Sequence, residues 1–319
     1  MNQNHKEPDL QERRSIEPTP VSKVDLISMP ALEDLDKRTE TSKVFSLGEN
    51  RFQAVLFAEP VHYLDPDTGK YEPIDNRLDD ISQEKGKRVL RNRKNPHLRI
   101  SMAAADQNES IVIEDDAGHR ISWAFLGAKA VFPVALKDEK AMDTAKLNRV
   151  EEALSNSQSA AQYSGIFPGV DLKCTVHGHM FKDELVFSSR DAVKTVHLTL
   201  HAPSLTPAKG EQGNILIADG KGETVFTLPT PFMKDAQEES TFGSVDVSLE
   251  QGKQTDSWQI TYSPDKAWLD GAKYPVILDP VVITKKHSTA IEDNYITSAQ
   301  PNTVQPYAGA AMKVTYNSG

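Results

Sequence analysis

Residues 111–123 read Ile111-Val-Ile-Glu-Asp-Asp-Ala-Gly-His-Arg-Ile-Ser-Trp123, and this stretch decides the fold class. Two runs rich in β-branched and aromatic residues flank the turn Asp115–Gly118, where glycine can adopt the left-handed conformation that a tight hairpin needs. The same pattern recurs at residues 215–227, with Asp219 and Gly222 in the corresponding places. The sequence therefore predicts two similar β-hairpins.

Short alternating segments continue along most of the chain. Leu172, Cys174 and Val176 alternate with polar residues ahead of a turn at residues 177–179, and an apolar run returns at Phe181–Phe187. Many short strands with proline and glycine between them favour β-sandwiches over α/β folds. We therefore predict an all-β chain made of tandem β-sandwich-like domains.

Changes in composition suggest the domain limits. Residues 1–42 are rich in charge and proline and are predicted to be a disordered leader. Residues 43–155 form the first predicted β domain and residues 156–284 the second, with the boundary inside the charged, Ala- and Gln/Ser-rich stretch 137–162. The likeness of the two hairpins suggests that these domains are related. Residues 285–319 are predicted to be an incomplete C-terminal module.

The charge balance restricts the function. The chain has 319 residues and a formal net charge of -10, which argues against a nucleic-acid-binding protein, since phosphate contacts need a basic surface. The basic stretch 84–97 is predicted to be a solvated loop, with an anionic-polymer site as the alternative. Residues 1–20 lack the apolar segment of a signal peptide, and no run is apolar enough to span a bilayer.

His177 and His179 are the best candidates for metal binding. Residues two apart on a strand point to the same side, and Asp183 or Glu184 across the hairpin could supply a third ligand. However, Gly178 between the histidines indicates a turn tip, where the side chains diverge into water. We therefore predict no metal, no cofactor and no catalytic residue.

Other candidate groups have structural interpretations. Cys174, the single cysteine, is predicted to be a buried thiol. Asp183 shares the apolar face of its strand with Phe181 and Leu185, which a bulge or an edge strand would explain. The remaining carboxylates are expected at turns or on solvent-facing strand positions. The three tryptophans are predicted to pack in the core, with a sugar-stacking platform as the alternative: Trp123, Trp258 and Trp268.

Three segments together carry a family resemblance that spans about residues 36–282. In order they read DKRTETSKVFSLGENRFQAVLFAEPVHYLDPDTGKYEPIDNRL at 36–78, YSGIFPGVDLKCTVHGHMFKDELVF at 163–187 and PDKAWLDGAKYPVILDPV at 264–281. This order resembles the region ahead of the repeats in Rhs/YD-repeat proteins of Gram-positive bacteria, which include wall-associated proteins and polymorphic toxins. Residues 291–302 (IEDNYITSAQPN) look like the opening of a DNRLRE-type β module.

The resemblance implies a secreted or cell-surface segment that is not an enzyme. On this interpretation the chain is a structural or adhesion segment that precedes an Rhs/YD-repeat shell and a toxin domain of the same polypeptide. The alternative is a carbohydrate-binding accessory region of a cell-wall or polysaccharide-active enzyme, with cell-wall polysaccharide or other glycans as partners. A metal-dependent hydrolase that uses His177 and His179 is a third, weaker interpretation.

Overall fold

The computed structural model describes residues 32–48, 51–57, 60–82, 88–136, 156, 158–211, 213–237, 241–284, 294–297, 300–306 and 311–317. Regular structure in this part of the chain is almost entirely β-strand, so the all-β prediction is confirmed. The named helical pieces are short: two 3-10 turns at Leu35–Lys37 and Arg190–Ala192, and α1 at Lys266–Leu269.

The strands follow one another closely along the chain. In order they are β1 (Leu32–Glu33), β2 (Ser42–Gly48), β3 (Arg51–Phe57), β4 (His62–Leu64), β5 (Tyr71–Pro73), β6 (Asp75–Ser82), β7 (Arg88–Lys94), β8 (Arg99–Met102), β9 (Ile111–Glu114), β10 (Arg120–Phe125), β11 (Val134–Leu136), β12 (Gln158–Phe167), β13 (Val170–His177), β14 (Met180–Phe187), β15 (Val196–His201), β16 (Thr206–Lys209), β17 (Ile215–Ala218), β18 (Thr224–Leu228), β19 (Phe232–Lys234), β20 (Phe242–Gln251), β21 (Ser257–Pro264), β22 (Val276–Asp279), β23 (Val281–Thr284), β24 (Asn294–Thr297), β25 (Gln300–Pro306) and β26 (Ala311–Asn317).

Two connected antiparallel sheets wrap into a barrel around one core. The first sheet pairs its strands in the order β6-β7-β8-β9-β10-β15-β21-β20. In the second sheet β11-β12-β13-β14 continues into β22 and β23, which pair with β19 and β18, and β17 and β16 follow β18. Pairing of β19 with β20 joins the two sheets.

The core is formed by apolar side chains that alternate with more polar ones along the strands. Along β13 the buried residues are Val170, Leu172, Cys174 and Val176, and the intervening side chains are less buried, because successive side chains of a strand point to opposite faces. The inward faces of both sheets contribute large apolar side chains that are in contact, for example Trp123 of the first sheet and Phe181 of the second, whose ring centroids lie 5.7 Å apart.

The predicted boundary near residue 155 does not separate two cores. β10, on its N-terminal side, pairs with β15, on its C-terminal side, from Ser122↔His201 to Phe125↔Leu198. One cluster of buried apolar residues extends from Leu90 to Val282. The two predicted domains therefore form a single folded unit. Without β15, β10 would be an unpaired edge of the sheet. Within the predicted linker, β12 already begins at residue 158.

The two similar hairpins lie in different sheets of this barrel. Asp115 accepts backbone hydrogen bonds from Ala117 and His119, both at 2.9 Å, and Asp219 accepts the equivalent pair from Lys221 and Glu223, also at 2.9 Å. Gly118 and Gly222 both have φ of +83°. The predicted hairpin turns are therefore confirmed, and the same turn chemistry accounts for their likeness inside one body.

The N-terminal part of the described chain is more ordered than predicted. Residues 32–42 were assigned to the leader, yet β1 pairs with β2 through Leu32↔Ser46 and Glu33↔Phe45. The resulting small sheet has the order β1-β2-β3-β26, so a strand from the C-terminal segment forms one of its edges. The DNRLRE-type assignment of that segment stays a prediction.

Gly243 in β20 is required by a close approach. A Cβ atom there would lie 2.5 Å from Cδ2 of Trp268, which packs against the core. We expect Gly243→Ala to lower the free energy of unfolding by about 1–3 kcal/mol, since overpacking displaces the indole ring. Urea denaturation measures this. The control is Gly220→Ala, which meets nothing within 4 Å; an equal loss in the two variants would contradict the prediction.

Candidate functional site

The two histidines predicted as metal candidates have different surroundings. His179 follows Gly178 at the β13–β14 turn and is fully buried, whereas His177 is partly exposed. The expectation that both side chains diverge into water is wrong for His179, because this turn packs against the loop that carries His97. The centroids of the His97 and His179 rings lie 5.0 Å apart in an edge-to-face arrangement.

The predicted third ligands lie elsewhere. Asp183 points into the barrel and accepts a hydrogen bond from Trp123. Glu184 forms ion pairs with Lys182 at 3.0 Å and Lys173 at 3.8 Å. Neither carboxylate belongs to the group that forms around His179.

A different carboxylate completes that group. One side-chain ligand atom each from Glu40, His97 and His179 lies within 4.8 Å of the other two. Both histidines are buried and Glu40 is half-buried. Two imidazoles and one carboxylate are a donor set that proteins use for divalent metals.

Asp116 fixes the orientation of His97. Its Oδ2 atom lies 2.6 Å from Nδ1 of His97. An ionised carboxylate can only accept a hydrogen bond, so Nδ1 of His97 carries a hydrogen and donates the hydrogen bond to Asp116. Nε2 is then the nitrogen of His97 with a lone pair to offer, which is the tautomer that a carboxylate partner imposes on metal-binding histidines.

A network of three buried asparagines holds the two histidine loops together. Asn76 and Asn95 each donate to the backbone carbonyl of Gly178, at 3.1 Å and 3.0 Å. Asn92 and Asn95 both donate to Oδ1 of Asn76 at 3.0 Å. The network links the turn that contains Gly178 and His179 to the loop that contains Asn95 and His97.

Glu40 lies in the turn that precedes β2. Its backbone carbonyl accepts from the amides of Val61, at 2.9 Å, and His62, at 3.1 Å. The Thr39 and Ser42 hydroxyls are hydrogen-bonded to each other at 2.6 Å across this turn. The small N-terminal sheet therefore brings the carboxylate of Glu40 to the barrel.

Sequence analysis missed Glu40 and His97. The three residues lie in separate loops, so no local spacing connects them. The basic stretch 84–97 was predicted to be a solvated loop, yet residues 88–94 form β7 and Asn92, Asn95 and His97 are buried. Arg88 and Arg93 pair with Asp80 and Asp79 of β6. The asparagine and histidine residues among the arginines of this stretch were the one local sign that part of it is buried.

A buried ionic group flanks the Glu40 turn. Glu33 accepts hydrogen bonds from Arg38 at 2.7 Å and Lys43 at 3.2 Å. Burial alone would raise the pKa of Glu33, but these cations outweigh it and lower the pKa to about 2. Burial, with a contribution from the charge of Lys43, lowers the pKa of His62 to about 4. His62 is therefore neutral at pH 7, and this group holds the N-terminal segment in place.

Asp183 is a carboxyl group inside the barrel. It lies in register with Cys174 on a continuous, central strand, so the expected bulge or edge strand is wrong. Trp123 Nε1 donates to its Oδ2 at 3.0 Å. Burial raises the pKa of Asp183 well above its usual range, and the neighbouring Asp279 adds to this shift. Burial therefore favours the neutral form of this carboxyl group, and the hydrogen bond from Trp123 gives one of its oxygen atoms a partner between the sheets.

The remaining candidates are core residues, as predicted. Cys174 is buried, and burial raises the pKa of its thiol well above the usual value. Trp123 and Trp258 are buried in the barrel, and Trp268 packs against the core. None of these three indole rings forms an open stacking platform.

A polar cleft of about 1000 Å³ lies on the first sheet, beside the loops that follow β8 and β10. Arginine and glutamate side chains and two phenylalanines, Phe125 and Phe132, line it. The guanidinium of Arg88 lies 3.9 Å from the ring centroid of Phe132. Arg120 bonds Glu109 at 2.8 Å within the cleft. The cleft offers hydrogen-bonding groups of both kinds to a polar ligand.

Comparison with known proteins found relatives from Bacillus and Geobacillus. The chain is 24% identical over 289 residues to the tRNA(Glu)-specific nuclease WapA of Bacillus subtilis subsp. natto (strain BEST195). It is 24% identical over 221 residues to a wall-associated protein of Geobacillus stearothermophilus, covering 67% of this chain and 78% of that protein. The chain is a relative of bacterial wall-associated proteins.

These wall-associated relatives include proteins far longer than the present chain. The alignment with the Bacillus subtilis subsp. natto protein covers 88% of this chain but 11% of that protein, and the tRNA nuclease WapA of Bacillus subtilis (strain 168) gives the same shares. No protein-family model matches the chain, and no solved structure matches it significantly. Among the described residues, none of the helices has the length and apolar character needed to cross a bilayer.

Proposed function

We propose that the chain is a non-catalytic cell-surface segment of a longer wall-associated protein of the polymorphic-toxin type. In this proposal it precedes an Rhs/YD-repeat shell and helps to display or anchor it. The observation that carries the proposal is the alignment, which uses 88% of this chain but 11% of the relatives called tRNA nucleases. The nuclease activity in their names then resides in the remainder of those proteins.

The surroundings of the reactive groups support a structural role. Asp183 and Cys174 face each other in register inside the barrel, and burial raises the pKa of both groups well above their usual values. A buried, protonated thiol is a poor nucleophile. A carboxyl group that is buried within a packed core has no access to a polymeric substrate.

Incubation of the purified chain with total tRNA and, separately, with purified peptidoglycan tests the proposal. We expect no cleavage of either polymer. Cleavage that disappears in Asp183→Asn or Glu184→Gln, while the variant keeps the wild-type circular dichroism spectrum, would refute the non-catalytic role.

A second candidate function is carbohydrate binding, which the polar cleft favours. Protein sites for sugars combine planar polar side chains with an aromatic face, and Arg91, Glu109 and Phe132 lie in this cleft. Its ligand would be a wall polysaccharide or another glycan.

Pull-down with peptidoglycan separates the two candidates. Carbohydrate binding predicts saturable retention that Phe132→Ala reduces at least about tenfold, the effect of losing one good contact of about 1.4 kcal/mol. The matched control is Phe232→Ala, which removes an exposed phenylalanine of the second sheet that does not line the cleft. Retention that is absent, or equal in both variants, would exclude the cleft as a glycan site.

A further inference from the structure

We propose that Glu40, His97 and His179 form a binding site for a divalent transition-metal ion, with zinc as the best fit, that fastens the N-terminal sheet to the barrel. The three ligand atoms already lie within 4.8 Å of one another. Zinc bonds of about 2.0–2.1 Å would bring them to about 3.4 Å.

The donor types select the metal class. Calcium and magnesium prefer sites made of oxygen ligands alone, whereas imidazole suits zinc and its first-row neighbours. Two histidines with one carboxylate leave a fourth position, which a water molecule fills. Glu40 is the ligand closest to solvent, so the ion and its water reach the site from that side.

The surroundings are arranged as metal sites require. His97 donates through Nδ1 to Asp116 at 2.6 Å and so presents Nε2 to the ion. Outer carboxylates of this kind raise the basicity of the ligand and fix the ring. The asparagine network holds the backbone of Gly178 beside His179. The ring of His97 is thus oriented, and the backbone next to His179 is held in place, before an ion binds.

The ion would join segments that strand pairing leaves separate. Glu40 belongs to the turn before β2, His97 to the loop between β7 and β8, and His179 to the tip of the β13–β14 hairpin. Among the described residues, the small sheet β1-β2-β3-β26 shares no strand pairing with the barrel. An ion that binds only the folded arrangement stabilises it. The proposal is independent of the surface function proposed above.

Metal analysis of the whole chain tests the proposal. After dialysis against chelator and reloading with ZnSO₄, we expect about one zinc ion per chain by plasma mass spectrometry. Excess zinc should raise the Tm by about 5 °C or more at a hundredfold excess over Kd. Cobalt in place of zinc should give the visible absorption of a four-coordinate site.

Variants locate the ion. Glu40→Gln and His97→Gln should each weaken zinc binding at least about tenfold and remove the cobalt absorption. The matched control is His177→Ala, which removes the partly exposed histidine two residues from His179 and should leave binding unchanged. Glu40→Gln also guards against misfolding, because Glu40 is half-buried and its circular dichroism spectrum can be compared with the wild type.

Two results would overturn the assignment. One is a wild-type chain that binds less than about 0.2 zinc ion at micromolar free zinc, where a site with a Kd at or below about 1 μM would be at least about half filled. The other is a loss of zinc in His177→Ala equal to that in His97→Gln, since the ion would then lie on the hairpin surface.

Discussion

Residues 156–284 expressed alone are expected to show no cooperative unfolding transition, whereas the whole chain unfolds its barrel in one step. The fragment loses β10, the partner of β15 along four residue pairs from Ser122↔His201 to Phe125↔Leu198. It also loses the buried side chains that β8 to β10 contribute to the shared core, among them Ile100, Ile113 and Trp123. A core that lacks these strands cannot offset the conformational entropy of folding.

Urea denaturation followed by far-UV circular dichroism and tryptophan fluorescence measures this difference. In the whole chain the two probes should give coincident transitions, as a single cooperative unit requires. Residues 43–155 alone serve as the reciprocal fragment and should also fail to fold. A fragment 156–284 with a sigmoidal transition and a midpoint close to that of the whole chain would show that the second half is an independent domain.

Asp183→Asn is expected to change the pH dependence of stability. In the folded protein burial raises the pKa of Asp183 well above its usual range, whereas the unfolded value is about 3.9. Between these values the folded state holds one more proton than the unfolded state, so the wild type loses stability as pH rises. Asparagine does not titrate. The stability of Asp183→Asn relative to the wild type should therefore increase with pH between these two pKa values, by up to about 1.4 kcal/mol for each pH unit.

Urea denaturation of both proteins at pH 5, 6 and 7 supplies the measurement. Asp183→Ala is the control for the hydrogen bond: it should lose about 1–3 kcal/mol at pH 5, because Trp123 Nε1 is left buried without its acceptor. A difference between wild type and Asp183→Asn that stays constant over this range would mean that Asp183 is ionised inside the barrel.

The relationship to wall-associated proteins was also within reach of the sequence. The resemblance rests on the order of motifs across residues 36–282. The alignment with the Bacillus subtilis subsp. natto relative covers 88% of the chain, and the alignment with the Geobacillus wall-associated protein covers 67%. The motifs that carried it correspond to strands and turns, such as the turn at Gly169, which has φ of +71° between β12 and β13. Such positions constrain the backbone locally and so leave a trace in the sequence.

Sequence by itself determined the hairpins and the faces of their strands. Asp115 with Gly118 and Asp219 with Gly222 close their turns through hydrogen bonds within five residues, and alternation along β13 fixes which side chains are buried. Both signals act over a few residues, so they can be read without knowing the rest of the fold.

Tertiary structure alone decided which strands meet. Alternation gives the face of a strand but not its partner, so the pairing of β10 with β15 across residue 155 was hidden. For the same reason nothing local placed Trp123 opposite Asp183, or brought Glu40 and His97 to His179. These contacts form between loops and strands far apart in sequence, and the packing of the two sheets is what brings them together.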